Sequence, residues 1–139
     1  MSVALYAAYG SNLHHDRMQD RCPGAEPVGG ALLPGWRLVL GCYAAIQRDP
    51  QACVPVGIWR VTPDHIAALD VAEGTEHGIY ERVTVEVPGH GEAWIYLERM
   101  PRRGPPEPCY VRHLQHGYDD FGLDPGPLED ALLEAGFAV

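Results

Sequence analysis

The stretch that decides the fold runs Tyr80-Glu81-Arg82-Val83-Thr84-Val85-Glu86-Val87, then Pro88-Gly89-His90-Gly91, then Glu92-Ala93-Trp94-Ile95-Tyr96-Leu97. Its first part alternates: Val83, Val85 and Val87 share one face, and Arg82, Thr84 and Glu86 share the other. Side chains of a strand point alternately to its two faces, so this pattern is that of a half-buried strand. Pro88 to Gly91 is a turn, and Ala93, Ile95 and Leu97 alternate again, which makes a hairpin.

Upstream, Thr62-Pro63-Asp64 is a helix start: an N-cap, a proline in the first turn, and an acid near the positive end of the dipole. The helix is expected to run to about Glu73 and to stop at Gly74. Further back, Val3 to Ala8 is a short apolar run that reads as a buried strand. A tight loop, Tyr9-Gly10-Ser11-Asn12, and a short helix through Arg17 and Met18 follow it. Val28 to Leu33 and Trp36 to Cys42 read as two strands around Pro34-Gly35. Cys53 to Val61 reads as another, with Pro55 marking an edge or a bulge. Helices are expected from about Glu107 to Gly117 and from about Pro127 to Ala135. Strands outnumber helices and come in hairpins, which favours an α+β fold with a mixed, barrel-like sheet.

The chain has 139 residues, the size of one domain spanning residues 1–139. Its 46% apolar and 21% charged content is that of a globular protein. The net charge of −9 argues against a nucleic-acid partner, which would need a basic footprint. No run approaches the roughly 20 apolar residues of a membrane span, and the N-terminus lacks a basic signal region. Cys22, Cys42, Cys53 and Cys109 are scattered, with no C-x-x-C pair. They read as reduced thiols of a cytoplasmic protein rather than as a zinc site or a disulfide framework.

Two features carry chemistry. On the helix from Pro63 to Glu73, the apolar stripe of Ile66 and Leu69 continues through Asp70 and Glu73. A carboxylate on an inward stripe is costly unless paired or functional. Partial burial would raise its pKa toward the range of a general base near neutral pH. Asp70 shares the stripe and is the rival acid. The second feature is the loop from Tyr9 to Asn12. Gly10 allows a bend and close backbone approach, and the N–H groups of such a strand-to-helix junction form an anion site. With no second or third glycine in phosphate-binding spacing, it suits a carboxylate better than a triphosphate.

No G-x-S-x-G elbow and no H-E-x-x-H pair is present, and His113 and His116 have no obvious third ligand. Neither a covalent nucleophile nor a metal is indicated, and no cofactor is expected.

These residues resemble a known family. Tyr6-Ala7-Ala8-Tyr9-Gly10-Ser11-Asn12-Leu13 is similar to the YGSN signature of the γ-glutamylcyclotransferase and AIG2-like superfamily. Leu69-Asp70-Val71-Ala72-Glu73-Gly74 with Gly78-Ile79-Tyr80 resembles its second signature, whose glutamate is catalytic. Pro105-Pro106-Glu107-Pro108-Cys109-Tyr110 resembles the proline-rich segment that brings a late tyrosine into the site. The three blocks stand in family order. The resemblance implies a small mixed β-barrel flanked by helices. It implies cyclisation of a small γ-glutamyl substrate to 5-oxoproline with release of an amine, as in glutathione metabolism. It assigns Glu73 as catalytic residue, and Tyr9, Gly10, Ser11, Asn12, Leu13, Tyr80 and Tyr110 as substrate-binding residues. The proline-rich loop from Met100 to Pro108, with Arg102 and Arg103, is the expected rim for the leaving group. A carboxylate-binding module without turnover is the alternative that the residues leave open.

Overall fold

The computed structural model describes residues 3–100 and 104–137. Strand β1 (Ala4–Ala8) leads through a 3-10 turn (Ser11–Leu13) into helix α1 (His15–Arg21). Two long strands follow, β2 (Glu26–Leu40) and β3 (Ala44–Val61), then helix α2 (Pro63–Glu73). The hairpin of β4 (Tyr80–Val87) and β5 (Gly91–Glu98) precedes helices α3 (Pro108–Phe121) and α4 (Gly126–Glu134).

The five strands form one sheet in the order β2-β3-β1-β5-β4. Strand β1 lies in its middle, antiparallel to β3 and parallel to β5. The α+β class and the mixed sheet are as expected, but the barrel does not close. Strands β2 and β4 end the ladder as two edges.

The residues from 26 to 40 form one strand rather than two. Pro34-Gly35 produces a register shift between Pro34 and Trp36 without turning the chain. Its partner β3 starts at Ala44, well before the expected Cys53. In this first half Arg48 lies over the ring of its cross-strand partner Trp36, 4.4 Å from the centroid, so polar residues are accommodated there. Pro55 pairs with Leu32 on one side, while pairing to β1 on the other begins only at Gly57. A residue without an N–H fits a position bonded on one side.

Helix α2 has the predicted bounds. Thr62 caps it by accepting from His65 N–H at 3.3 Å, and His65 Nδ1 accepts in return from Thr62 N–H at 3.1 Å. Gly74 ends it in the left-handed conformation (φ 69°). Leu69 is fully buried, and Ile66 packs against the core.

One core joins the elements, with Trp59, Ile58, Leu13, Met18, Ile95, Leu114 and Leu132 among its most buried members. Two glycines allow close approach there, Gly117 to the backbone of the 3-10 turn and Gly57 to side chains. A Cβ on Gly117 of α3 would overlap Leu13 and come within 2.7 Å of His14 N. A Cβ on Gly57 would overlap the Phe121 ring and stand 2.7 Å from Leu13 Cδ2. These contacts press α3 and the 3-10 turn onto the middle of the sheet.

Candidate active site

The topology gathers one end of the sheet into a site. Strand β1 ends at Ala8, and the loop from Tyr9 leaves from there. Strand β5 runs parallel to β1, so Glu98 lies toward the same end, and Tyr80 pairs with Glu98. Strand β3 is antiparallel to β1, so its beginning at Ala44 extends past that end too. The C-terminus of α2, Arg17 and Arg21 of α1, and the first turn of α3 complete a cavity of about 410 Å³. That volume suits a small metabolite.

Glu73, the last residue of α2, is half-buried and lines this cavity. Asn12 Nδ2 donates to Glu73 Oε1 at 3.4 Å and to Tyr6 Oη at 3.0 Å. Asn12 Oδ1 accepts from Arg21 Nη1 at 2.9 Å, and its carbonyl accepts from Trp59 Nε1 at 3.1 Å. Four contacts thus fix a buried asparagine, which in turn holds the carboxylate. Burial raises the pKa of Glu73, and the guanidinium groups of Arg21 and Arg17 partly offset the rise.

Asp70, the rival acid, is committed elsewhere. Its Oδ1 accepts from Arg82 Nε at 2.9 Å and from Tyr96 Oη at 2.7 Å. Asp70 lines two other concavities with Arg82 and does not line the cavity that holds Glu73.

The loop places Gly10, Ser11 and Asn12 along the cavity wall. Among the described residues their N–H groups donate to no acceptor. Leading N–H groups of a helical turn have no partner within it, and these three belong to residues that line one cavity. Leu13, expected among the substrate-binding residues, is placed apart from the other three. Its N–H donates to Gly10 O at 3.0 Å, and its side chain is fully buried in the core, so it does not line the cavity.

Three of the six tyrosines that line the space among the described residues are those expected from the sequence. Tyr9 Oη donates to Tyr96 O at 2.6 Å, and Tyr80 Oη donates to Ala44 O at 2.8 Å. Tyr110 Oη accepts from Ala44 N–H at 3.0 Å, which leaves its own proton for a ligand. Burial pushes Tyr110 up to about 12, with the Ala44 N–H opposing and Glu73 adding to the rise. It therefore remains a donor at neutral pH. A Cβ on Gly10 would stand 3.3 Å from this hydroxyl, so the glycine keeps the cavity open.

Sequence reasoning missed Tyr6, Arg17, Arg21 and Tyr96, all of which line the cavity. The i, i+4 spacing of Arg17 and Arg21 on α1 was the available signal. Of the expected rim, Met100 lines the cavity, while Arg102 and Arg103 lie outside the described residues. His14 stands beside His113 and His116: its Nδ1 is 2.8 Å from His113 Nδ1, and its ring stacks on His116. Among the described residues no group of three or more His, Cys, Asp or Glu is arranged to hold a metal ion. No helix among them is long and apolar enough to cross a membrane.

The family model described as "Gamma-glutamyl cyclotransferase, AIG2-like" matches residues 6–115, which include the loop, Glu73 and Tyr110. The chain belongs to this family. Curated γ-glutamylcyclotransferases resemble this member along most of its length. The mouse protein is 30% identical over 135 residues, covering 86% of this chain and 72% of the relative. The human protein is 30% identical over 141 residues, covering 90% and 73%. A solved structure titled "Gamma-glutamyl cyclotransferase" superposes with a TM-score of 0.86 at 26% identity, over 99% of this chain and 90% of that one.

Proposed function

We propose that this chain cyclises a γ-glutamyl amine or γ-glutamyl amino acid to 5-oxoproline and releases the amine, with Glu73 as general acid and base. The observation that carries this reading is the Glu73 carboxylate beside the open N–H groups of Gly10 to Asn12, in one cavity. Family membership supports the reaction class.

The substrate's α-ammonium cannot attack until it loses a proton. Glu73 takes that proton, and its raised pKa makes it a more effective base near neutrality. The free amine then attacks the γ-carbonyl carbon and closes a five-membered ring. The reaction is intramolecular, so holding one conformation removes most of its entropic barrier. The carbonyl oxygen becomes an oxyanion, stabilised by N–H groups of the loop and by Tyr110 Oη. The tetrahedral centre collapses: Glu73 returns its proton to the leaving nitrogen as that bond breaks, and the ring nitrogen, still carrying one proton too many, gives it up to the departing amine, which leaves as an ammonium. The remaining loop N–H groups hold the α-carboxylate, with Tyr9 and Tyr80 walling the pocket. Nucleophile and acid–base group are both supplied, so the route calls for no metal or cofactor.

Glu73→Gln keeps the shape and hydrogen bonding but cannot accept the proton. Turnover should fall by at least ~100-fold with the fold intact, whereas Asp70→Asn should spare most of it. The assay is 5-oxoproline release from matched γ- and α-glutamyl dipeptides. Only the γ-linkage sets the α-amine to close a five-membered ring. A panel of γ-glutamyl compounds that bind without yielding 5-oxoproline would establish a binding module instead.

A further inference from the structure

Arg17 lines the cavity, and no step of the proposed chemistry bonds to it. It lies on α1 one turn before Arg21, on the same face. Arg21 is tied to Asn12. Arg17 has no hydrogen bond or ion pair among the described residues, and its Nε is buried without a partner. A buried N–H left unpaired requires an explanation.

Its position supplies one. Arg17 lines the main cavity and also a second concavity of about 350 Å³, bounded by Tyr43, Pro105, Glu107, Tyr110 and His113. Tyr43 and Tyr110 are shared by both spaces; Arg21 lines only the first. If the glutamyl half is held between the loop and Glu73 as proposed, the adjoining space is open to the group attached to the γ-carbonyl. Glu107 adds a negative charge at the far side but forms no ion pair with Arg17. The junction therefore offers one unsatisfied planar cation, and a carboxylate is its complementary partner, bonded bidentately.

We propose that Arg17 is a specificity-determining residue that binds the carboxylate of a leaving amino acid and so selects γ-glutamyl amino acids over γ-glutamyl amines. This rests on the cyclisation reading above. The test uses γ-glutamylalanine and γ-glutamylethylamide, which differ only by the leaving group's carboxylate. The wild type should favour the former by about 10–100-fold in kcat/KM, the scale of a hydrogen-bonded charge pair. Arg17→Met should collapse that ratio toward unity, chiefly through KM, and Arg17→Lys should restore part of it. Arg21→Met acts through Asn12 and should lower both substrates together.

Equal loss on both substrates in Arg17→Met, or no preference in the wild type, overturns the assignment. Calorimetry in a Glu73→Gln background keeps this separate from turnover. Tighter binding of γ-glutamylalanine that Arg17→Met abolishes upholds the role of Arg17 even if no 5-oxoproline forms. Equal binding of the two compounds refutes it even if both are turned over.

Discussion

Glu73 is poised between two opposing effects. Burial raises its pKa, and two arginines of α1 pull it back. The acid limb of kcat/KM should therefore lie above the ordinary carboxylate range, near 4.3. Arg21→Met removes one of the opposing charges, so that limb should move to higher pH; a shift to lower pH would show another group to be titrating. Stability follows the same sign. A carboxyl whose folded pKa is raised favours the fold while protonated and loses that contribution as pH rises through the folded value. Glu73→Gln should therefore melt higher than the wild type at neutral pH, and the gap should vanish below the ordinary carboxylate pKa. Helical spacing put both Asp70 and Glu73 on the inward stripe. It could not separate them, because what distinguishes them, Arg82 on β4 and Tyr96 on β5, is remote in sequence. Arg17 and Arg21 escaped notice because two arginines on a short polar helix look like a solvated face until the cavity is seen.

At the scale of the element, α2 delivers Glu73 by where it stops. Gly74 at φ 69° turns the chain away directly after the carboxylate, and a Cβ there would stand 2.9 Å from Ile79 Cδ1. Gly74→Ala meets both the left-handed penalty and that contact, so about 1–3 kcal/mol of stability should be lost. Turnover should fall as well, since relief of the left-handed strain requires the last turn of α2 to shift. Thr62→Ala removes the cap at the other end and should cost about 0.5–2 kcal/mol, with kcat largely kept in the folded protein. Melting curves and kcat for the two variants measure whether the end of the helix or its general stability governs the site. Both ends of α2 were legible because caps are local chemistry. The same holds for the hairpin of β4 and β5, whose faces alternate cleanly. Strands β2 and β3 were misjudged where Pro34-Gly35 imitates a turn and where Arg48-Asp49-Pro50 breaks the apolar pattern. Their long ladder compensates for those local signals.

The whole molecule decides how the loop after β1 is held. Sheet order and the parallel pairing of β1 with β5 join segments far apart in sequence, so hairpin patterns could suggest a mixed sheet but not its open edges. The loop is gripped from behind, where Gly117 of α3 meets Leu13 and His14 with no room for a side chain. Behind that contact, Gly57 of β3 receives both Leu13 and Phe121. Gly117→Ala cannot be relieved by rotating a flexible side chain, because the opposing atoms include backbone. Either α3 must retreat or the 3-10 turn must advance into the cavity. Overpacking of this kind should cost about 1–3 kcal/mol. It should also displace the N–H groups of Gly10 to Asn12 and the hydroxyl of Tyr110, which shares α3 with Gly117. Leu132→Ala, fully buried on α4 and absent from the cavity lining, should cost about 2–5 kcal/mol. Assayed well below both melting transitions, Leu132→Ala should keep its kcat while the more stable Gly117→Ala loses most of its own. The reverse order would mean that activity follows global stability rather than the seating of the loop against α3.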